Sequence, residues 1–244
     1  MQLSGNTILI TGGTSGLGRA FAEQFYNDGN TVIICGRRAD RLAEMQELYP
    51  NLVTRVCDVA REDHRLELCT WAVANYPDLN VVMNNAGMQL ATDLTQPVDI
   101  SRVKEEMETN FIAPVQLSSL FATHLANKTN AAIINISSGL AFVPIAFMPI
   151  YCATKAAMHS YSLSLRHQLK GAGIEVIEII PPSVDTELGH ERREDKTQSH
   201  GGIPIGEFLT EAMDGLRNGE QEIAVGMSKG LRAKREEVFG NMNR

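Results

Sequence analysis

Short runs rich in Ile, Val and Leu alternate along the chain with longer stretches of helical character. The short runs predict strands over Asn6–Ile10, Thr31–Cys35, Leu52–Cys57, Asn80–Met83, Ala131–Ile136 and Ile174–Ile180, with a late one over Glu222–Val225. Between them the pattern predicts helices over Leu17–Asp28, Ala39–Leu48, Glu62–Asn75, Ile100–Asn127, Ala153–Lys170 and Gly206–Arg217. Strands with apolar residues at consecutive positions suit a parallel sheet covered on both faces. The βαβ alternation therefore predicts an α/β fold: a Rossmann-type doubly wound parallel sheet of six or seven strands flanked by helices. There is no internal repeat, low-complexity block or linker, so residues 1–244 read as a single domain. One segment breaks the pattern. Asp185–Ile203 is polar, highly charged and bounded by glycines. A loop of that length in a compact domain is usually functional or disordered, and it is expected to be a substrate lid.

Composition narrows the classes. The chain has 244 residues, 43% apolar and 21% charged, which suits one large soluble α/β domain. Its net charge of −7 and the lack of a basic stripe argue against nucleic-acid binding. Arg232, Lys234 and Arg235 are followed by Glu236 and Glu237 and read as a solvated helix face. No apolar stretch approaches the roughly 20 residues that span a bilayer, and the first residues lack the pattern of a signal peptide. Cys35, Cys57, Cys69 and Cys152 show no CxxC spacing and read as reduced thiols. A cytoplasmic protein with no membrane partner is expected.

The first strand runs into Thr11-Gly12-Gly13-Thr14-Ser15-Gly16-Leu17-Gly18, and a helix follows. Glycines allow a tight turn and a close backbone approach to a pyrophosphate. The helix start adds free N–H groups and a positive dipole end. No Lys-Ser/Thr follows the last glycine, so this is not a Walker A loop. At the end of the second strand the chain reads Ile34-Cys35-Gly36-Arg37-Arg38. An acid there would bind a ribose 2′-OH; here glycine leaves room for a 2′-phosphate, and Arg37 and Arg38 offer guanidinium groups to grip it. The cofactor expected is NADP(H).

Tyr151 and Lys155 lie at i, i+4 and so share one helical face. A nearby ammonium stabilises a phenolate and lowers its pKa toward the range useful for acid/base chemistry. Ser138, after the strand AAIINI, sits where loops surround the ligand crevice of such a sheet and can donate to a substrate oxygen. Asn84-Asn85-Ala86-Gly87 follows the fourth strand; its small residues let the backbone pass close to a flat ligand. Asn110 lies inside the long helix Ile100–Asn127, four residues before Pro114. Proline has no N–H to give the Asn110 carbonyl, which predicts a kink and a free acceptor there.

In this order TGGTSGLG, Asp58-Val59, NNAG, Asn110, the SSG serine, YCATK and PPSVDT resemble the short-chain dehydrogenase/reductase family, single-domain branch. The resemblance runs roughly from Gly5 to Val225. It implies that Tyr151 is the general acid/base, that Lys155 lowers its pKa and holds the nicotinamide ribose, and that Ser138 orients the substrate oxygen. It further implies that the Asn110 carbonyl holds a water in a proton relay, and that Asp58 lies beside the adenine. The cofactor residues so implied are Gly12, Thr14, Ser15, Gly16, Leu17, Gly18, Arg37, Arg38, Asp58, Val59, Asn85, Ala86, Gly87, Tyr151, Lys155, Val184 and Thr186. The family's usual Pro-Gly after the sixth strand is Pro181-Pro182 here, which removes an amide donor.

The function expected is hydride transfer between NADP(H) and a small-molecule carbonyl or alcohol substrate. A catalytically silent NADP(H)-sensing regulator is the alternative, although such proteins usually lose the tyrosine or lysine kept here. A sugar-nucleotide epimerase would need more chain after Val184. His190 and His200 match no metal-ligand spacing, and no metal is expected. His159 reads as a structural histidine and Cys152 as a packed thiol. The helices carrying Asn110 and Tyr151 have more apolar positions than one face requires, and the family pairs such helices, so a homodimer or homotetramer is expected.

Overall fold

The computed structural model describes residues 1–189 and 201–243. Seven parallel strands form one sheet in the order β3-β2-β1-β4-β5-β6-β7. They are β1 Thr7–Thr11, β2 Thr31–Gly36, β3 Val53–Val56, β4 Leu79–Asn84, β5 Ala132–Ile136, β6 Glu175–Ile180 and β7 Glu222–Ala224. The chain begins at the centre of the sheet, builds outward to β3, then returns to β4 and builds the other way. The order therefore reverses between β1 and β4, where a crevice opens beyond the strand C-termini.

Alternate side chains of each strand feed two cores. Ile8 and Ile10 of β1 pack with Phe21 and Phe25 of α1 (Gly16–Asn27), with α2 (Ala39–Leu48) and with Phe208 of α7 (Ile205–Arg217). Leu9 faces the other way, toward α3 (Glu62–Asn75), α5 (Ala113–Leu125) and α6 (Pro149–Leu169). Phe21 meets Phe208 edge-on at 5.9 Å, and both rings are fully buried. Burying one such side chain contributes roughly 1.5–3 kcal/mol. Layers on both faces explain why the strands are apolar at consecutive positions.

The stretch Ile100–Asn127 differs from the single helix expected. It forms α4 (Ile100–Met107), a wide π turn over Glu108–Ile112, and α5. Pro114 sits at the start of α5. The donor it lacks removes one rung of the ladder, and the backbone widens there. α6 starts at Pro149, ahead of the predicted Ala153; proline is well suited to a first helical turn. Two short helices, α8 (Ser228–Lys234) and α9 (Phe239–Met242), follow the last strand. Of the charged segment after β6, the described ends are tied together. Asp185 N–H donates to the Ile203 carbonyl and Ile203 N–H to that of Ser183, each at 2.9 Å. The rest of the expected lid, with His190 and His200, lies outside the described residues.

Candidate active site

The glycine turn is held by neighbours on both sides. Gly12 has φ +68°, and a Cβ there would come within 2.9 Å of the Ala86 Cα. Its N–H donates to the Cys35 carbonyl at 2.8 Å. The Thr11 hydroxyl accepts from the N–H groups of Asn85 and Ala86, each at 3.0 Å, and the Asn85 amide donates back to the Thr11 carbonyl at 2.9 Å. So the NNAG loop is fastened onto the end of β1. Gly18 serves packing: a Cβ there would overlap the Gly12 carbonyl and the Asn85 amide. Gly12, Thr14, Ser15, Gly16 and Leu17 belong to the cleft wall, and Gly18 does not.

Arg38 reaches across the turn. Its guanidinium donates to the Ser15 hydroxyl at 2.8 Å and to that of Thr14 at 3.4 Å, and it pairs with Glu187 at 3.2 Å. Arg41 meets the same carboxylate at 3.5 Å. Arg37 is exposed and pairs with Glu105 on α4 at 3.4 Å. Gly36 ends β2 beside Thr14, with no carboxylate at that strand end.

The side chains of Tyr151 and Lys155 are both buried. The Lys155 Nζ lies 5.6 Å from the Tyr151 ring centre and donates to the Ile136 carbonyl at 2.9 Å. Burial lowers the pKa of this ammonium to about 8, while the charges of Glu178 and Glu106 pull it upward. Ser138 caps a short 3-10 turn, its Oγ accepting from the Leu140 N–H at 3.1 Å. That contact uses a lone pair and leaves the hydroxyl hydrogen to donate elsewhere.

Asn110 stands in the π turn, buried behind the cleft wall. Its side chain accepts from the Met88 N–H and donates to the Met88 carbonyl, both at 2.8 Å, and donates to the Thr154 hydroxyl at 3.2 Å. Thr154 Oγ1 in turn donates to the Tyr151 carbonyl at 2.7 Å. Asn110 therefore clamps the loop after β4 to the first turns of α6. Sequence reasoning considered its carbonyl and not this amide.

These groups surround one cleft of about 710 Å³ at the reversal point of the sheet. Gly12, Thr14, Ser15, Gly16, Leu17, Arg37, Arg38, Asp58, Val59, Asn85, Ala86, Gly87, Ser138, Tyr151, Lys155, Val184 and Thr186 all line it, as do Pro181 and Pro182. A family model for short chain dehydrogenase matches residues 6–197. The chain belongs to the short-chain dehydrogenase family.

Among its relatives, an uncharacterized oxidoreductase, DltE of Bacillus subtilis, is 46% identical, covering 100% of this chain and 98% of that protein. The NADP-dependent 3-hydroxy acid dehydrogenase YdfG of Salmonella typhi is 30% identical over 84% of this chain and 86% of its own. A closed form of serine dehydrogenase complexed with NADP+ superposes with a TM-score of 0.80 at 26% identity, covering 90% of this chain and 94% of that one. A Burkholderia phymatum short chain dehydrogenase/reductase in complex with NAD has the same fold, with a TM-score of 0.86 at 20% identity over 100% and 97% of the two chains.

As a short-chain dehydrogenase the protein is an oxidoreductase. Among the described residues no helix is long and apolar enough to cross a membrane, and no cluster of His, Cys, Asp and Glu could hold a metal. Cys152 is buried against the Ile145 backbone, its Sγ 3.3 Å from that N–H, and burial raises its pKa. Sequence reasoning missed three buried residues around the lysine. Thr154 and Glu106 leave no pattern in the chain. Glu178 does, as a carboxylate inside the otherwise apolar run VIEII.

Proposed function

We propose that the protein reduces a small carbonyl compound, or oxidises the corresponding alcohol, with NADP(H) as the hydride carrier. The observation that carries this reading is the buried Lys155 ammonium beside Tyr151, in a cleft that the glycine turn also lines. The residues fit the cofactor. Gly12 allows the close backbone approach a pyrophosphate needs, and the α1 N-terminus lies at the same wall. Arg38 and Arg41 already hold one anion, the Glu187 carboxylate; a 2′-phosphate offers the same chemistry. A relative and a structural neighbour named for NADP support the choice, and the neighbour complexed with NAD makes it one to test.

NADP(H) supplies or accepts the hydride when bound. In the reductive direction the Tyr151 hydroxyl gives its proton to the substrate oxygen, and Ser138 donates a hydrogen bond that fixes that oxygen. Lys155 stabilises the phenolate left behind and would hold the ribose. Asn110 keeps the Met88 loop and α6 in register. A second copy of the chain, packed on the face where Ile112 and Leu163 are exposed, completes the reading as a homodimer or homotetramer; light scattering reads this directly.

The decisive experiment follows NADPH absorbance against a panel of aldehydes, ketones and 3-oxo acids. Tyr151→Phe should lower the rate about 10²–10⁴-fold, the range positioned acid/base groups supply, and leave NADPH affinity nearly unchanged. Turnover of Tyr151→Phe within tenfold of wild type refutes the role. Arg37→Ala and Arg38→Ala should each weaken NADPH about tenfold to a hundredfold, with little change for NADH.

A further inference from the structure

α6 carries Tyr151, Lys155 and His159 at i, i+4 and i+8, a single helical face. The first two enter the site described above. His159 meets the sheet instead, its Nδ1 2.8 Å from Glu178 Oε2, with the Phe142 ring packed edge-on at 4.7 Å. Glu178 has no exposed surface, and its second oxygen, Oε1, has no hydrogen-bond partner among the described residues.

Its place in the sheet is part of a pattern. Asn84 pairs in register with Asn135, Asn135 with Glu178, and Glu178 with Glu222, one residue from each of β4 to β7. This polar row runs beneath α5 and α6. Asn84 donates to Asn135 at 2.9 Å and to Ser118 of α5 at 3.1 Å, and Asn135 donates to Ser162 of α6 at 3.0 Å. At the edge, Glu222 is answered by Arg166 and by Arg232. Glu178, in the interior, has the imidazole of His159 as its side-chain contact.

Folding alone asks for no carboxylate at this position. Val176, Ile177, Ile179 and Ile180 around it are apolar and buried. A buried ionised carboxylate is costly, and apolar replacements of buried ion pairs are often neutral or stabilising. What the carboxylate does add is charge near the lysine: the Lys155 Nζ donates to the Ile136 carbonyl, and Ile136 is paired in register with Ile179, the residue that follows Glu178. The groups that bear on Lys155 are Glu178 from β6, Glu106 from α4, and Tyr151 on its own helix.

We propose that Glu178, anchored by His159, is a positioning residue for Lys155: a fixed buried anion that keeps the lysine cationic opposite Tyr151. This rests on the role given to Lys155 above. The arrangement differs from a surface ion pair, because both partners are out of water and little screening intervenes. The imidazole steadies the carboxylate without consuming both of its oxygens.

The test reads the lysine directly. Protein labelled at the lysine Cε carbons is titrated by NMR, with Lys155→Arg assigning the signal. In Glu178→Gln the Lys155 midpoint should move toward acid by about one unit, as expected for loss of a nearby opposite charge. His159→Leu should do the same, since the carboxylate then loses the contact that holds it in place. His159→Gln, whose amide still donates, should restore the midpoint. Midpoints unchanged in both Glu178→Gln and His159→Leu, with native melting transitions, overturn the proposal. Should those variants fail to fold, the wild-type chain decides: the His159 ring signal must shift as Lys155 loses its proton, and its failure to do so also overturns the proposal. No reading uses turnover. A chain that reduces no carbonyl would sink the proposed function and leave this inference to be judged by the Lys155 midpoint.

Discussion

At Lys155 burial and charge pull in opposite directions. Removing the ammonium from water lowers its pKa to about 8, although Glu178 and Glu106 oppose the change. Two consequences follow. On the proposed mechanism, the cation that would support the Tyr151 phenolate is lost as pH rises through about 8, so kcat/KM for carbonyl reduction should fall above that pH in a profile of the free enzyme. A flat profile to pH 10 would contradict the assignment. The effect on stability has the opposite sense. The unfolded chain holds this proton up to its ordinary value of 10.5, so between about 8 and 10.5 it binds more protons than the folded chain. This group therefore adds stability as pH rises through that window. Of the residues involved, Tyr151, Lys155 and Ser138 were legible because spacing and strand position place them. Thr154, Glu106 and the side-chain role of Asn110 were not, because each depends on a partner distant in the chain.

Among the elements, the central strands were easiest to read, because burial on both faces makes them apolar at most consecutive positions. Their limits shifted by a residue or two: β1 ends at Thr11 and not Ile10, and β3 is confined to Val53–Val56. The stretch Ile100–Asn127 was legible as helical with a fault near Asn110, but the fault's form was not. A missing proline donor is compatible with a kink or a widened turn. Packing decides between them: here the Asn110 side chain is drawn onto the Met88 backbone. The short helices α8 and α9 lacked a sustained period. The junction of α1 with the glycine turn gives a sharper test. At Gly18 a Cβ has no room beside the Gly12 carbonyl and the Asn85 amide. Gly18→Ala should push α1 off the turn and cost about 1–3 kcal/mol, the usual range for overpacking. Urea unfolding measures the loss, and NADPH affinity should fall with it. A variant as stable as the parent would show that the turn yields freely, and that the close approach is not what selects glycine.

For the whole molecule, one sheet order produces both the fold and the cleft. Because β1 and β4 are neighbours with chain leaving in opposite senses, the glycine turn, the NNAG loop and the Ser138 loop converge without any further domain. A ligand in that cleft touches both halves of the sheet, so its binding free energy must appear as folding free energy. At a concentration a hundred times its Kd, NADP+ should stabilise the chain by about 2.7 kcal/mol. For a domain of this size each kcal/mol raises Tm by roughly 2–4 °C, so a shift of about 5–11 °C is expected. If Arg37 and Arg38 select the 2′-phosphate, NAD+ binds about tenfold to a hundredfold more weakly. At the same concentration it then contributes only about 0.4–1.4 kcal/mol, or roughly 1–6 °C. Arg38→Ala should shrink the NADP+ shift toward that of NAD+ while leaving the ligand-free Tm nearly unchanged, since the ion pair it breaks with Glu187 is partly exposed. Equal shifts with the two dinucleotides in the wild-type chain would reduce both arginines to ordinary surface cations.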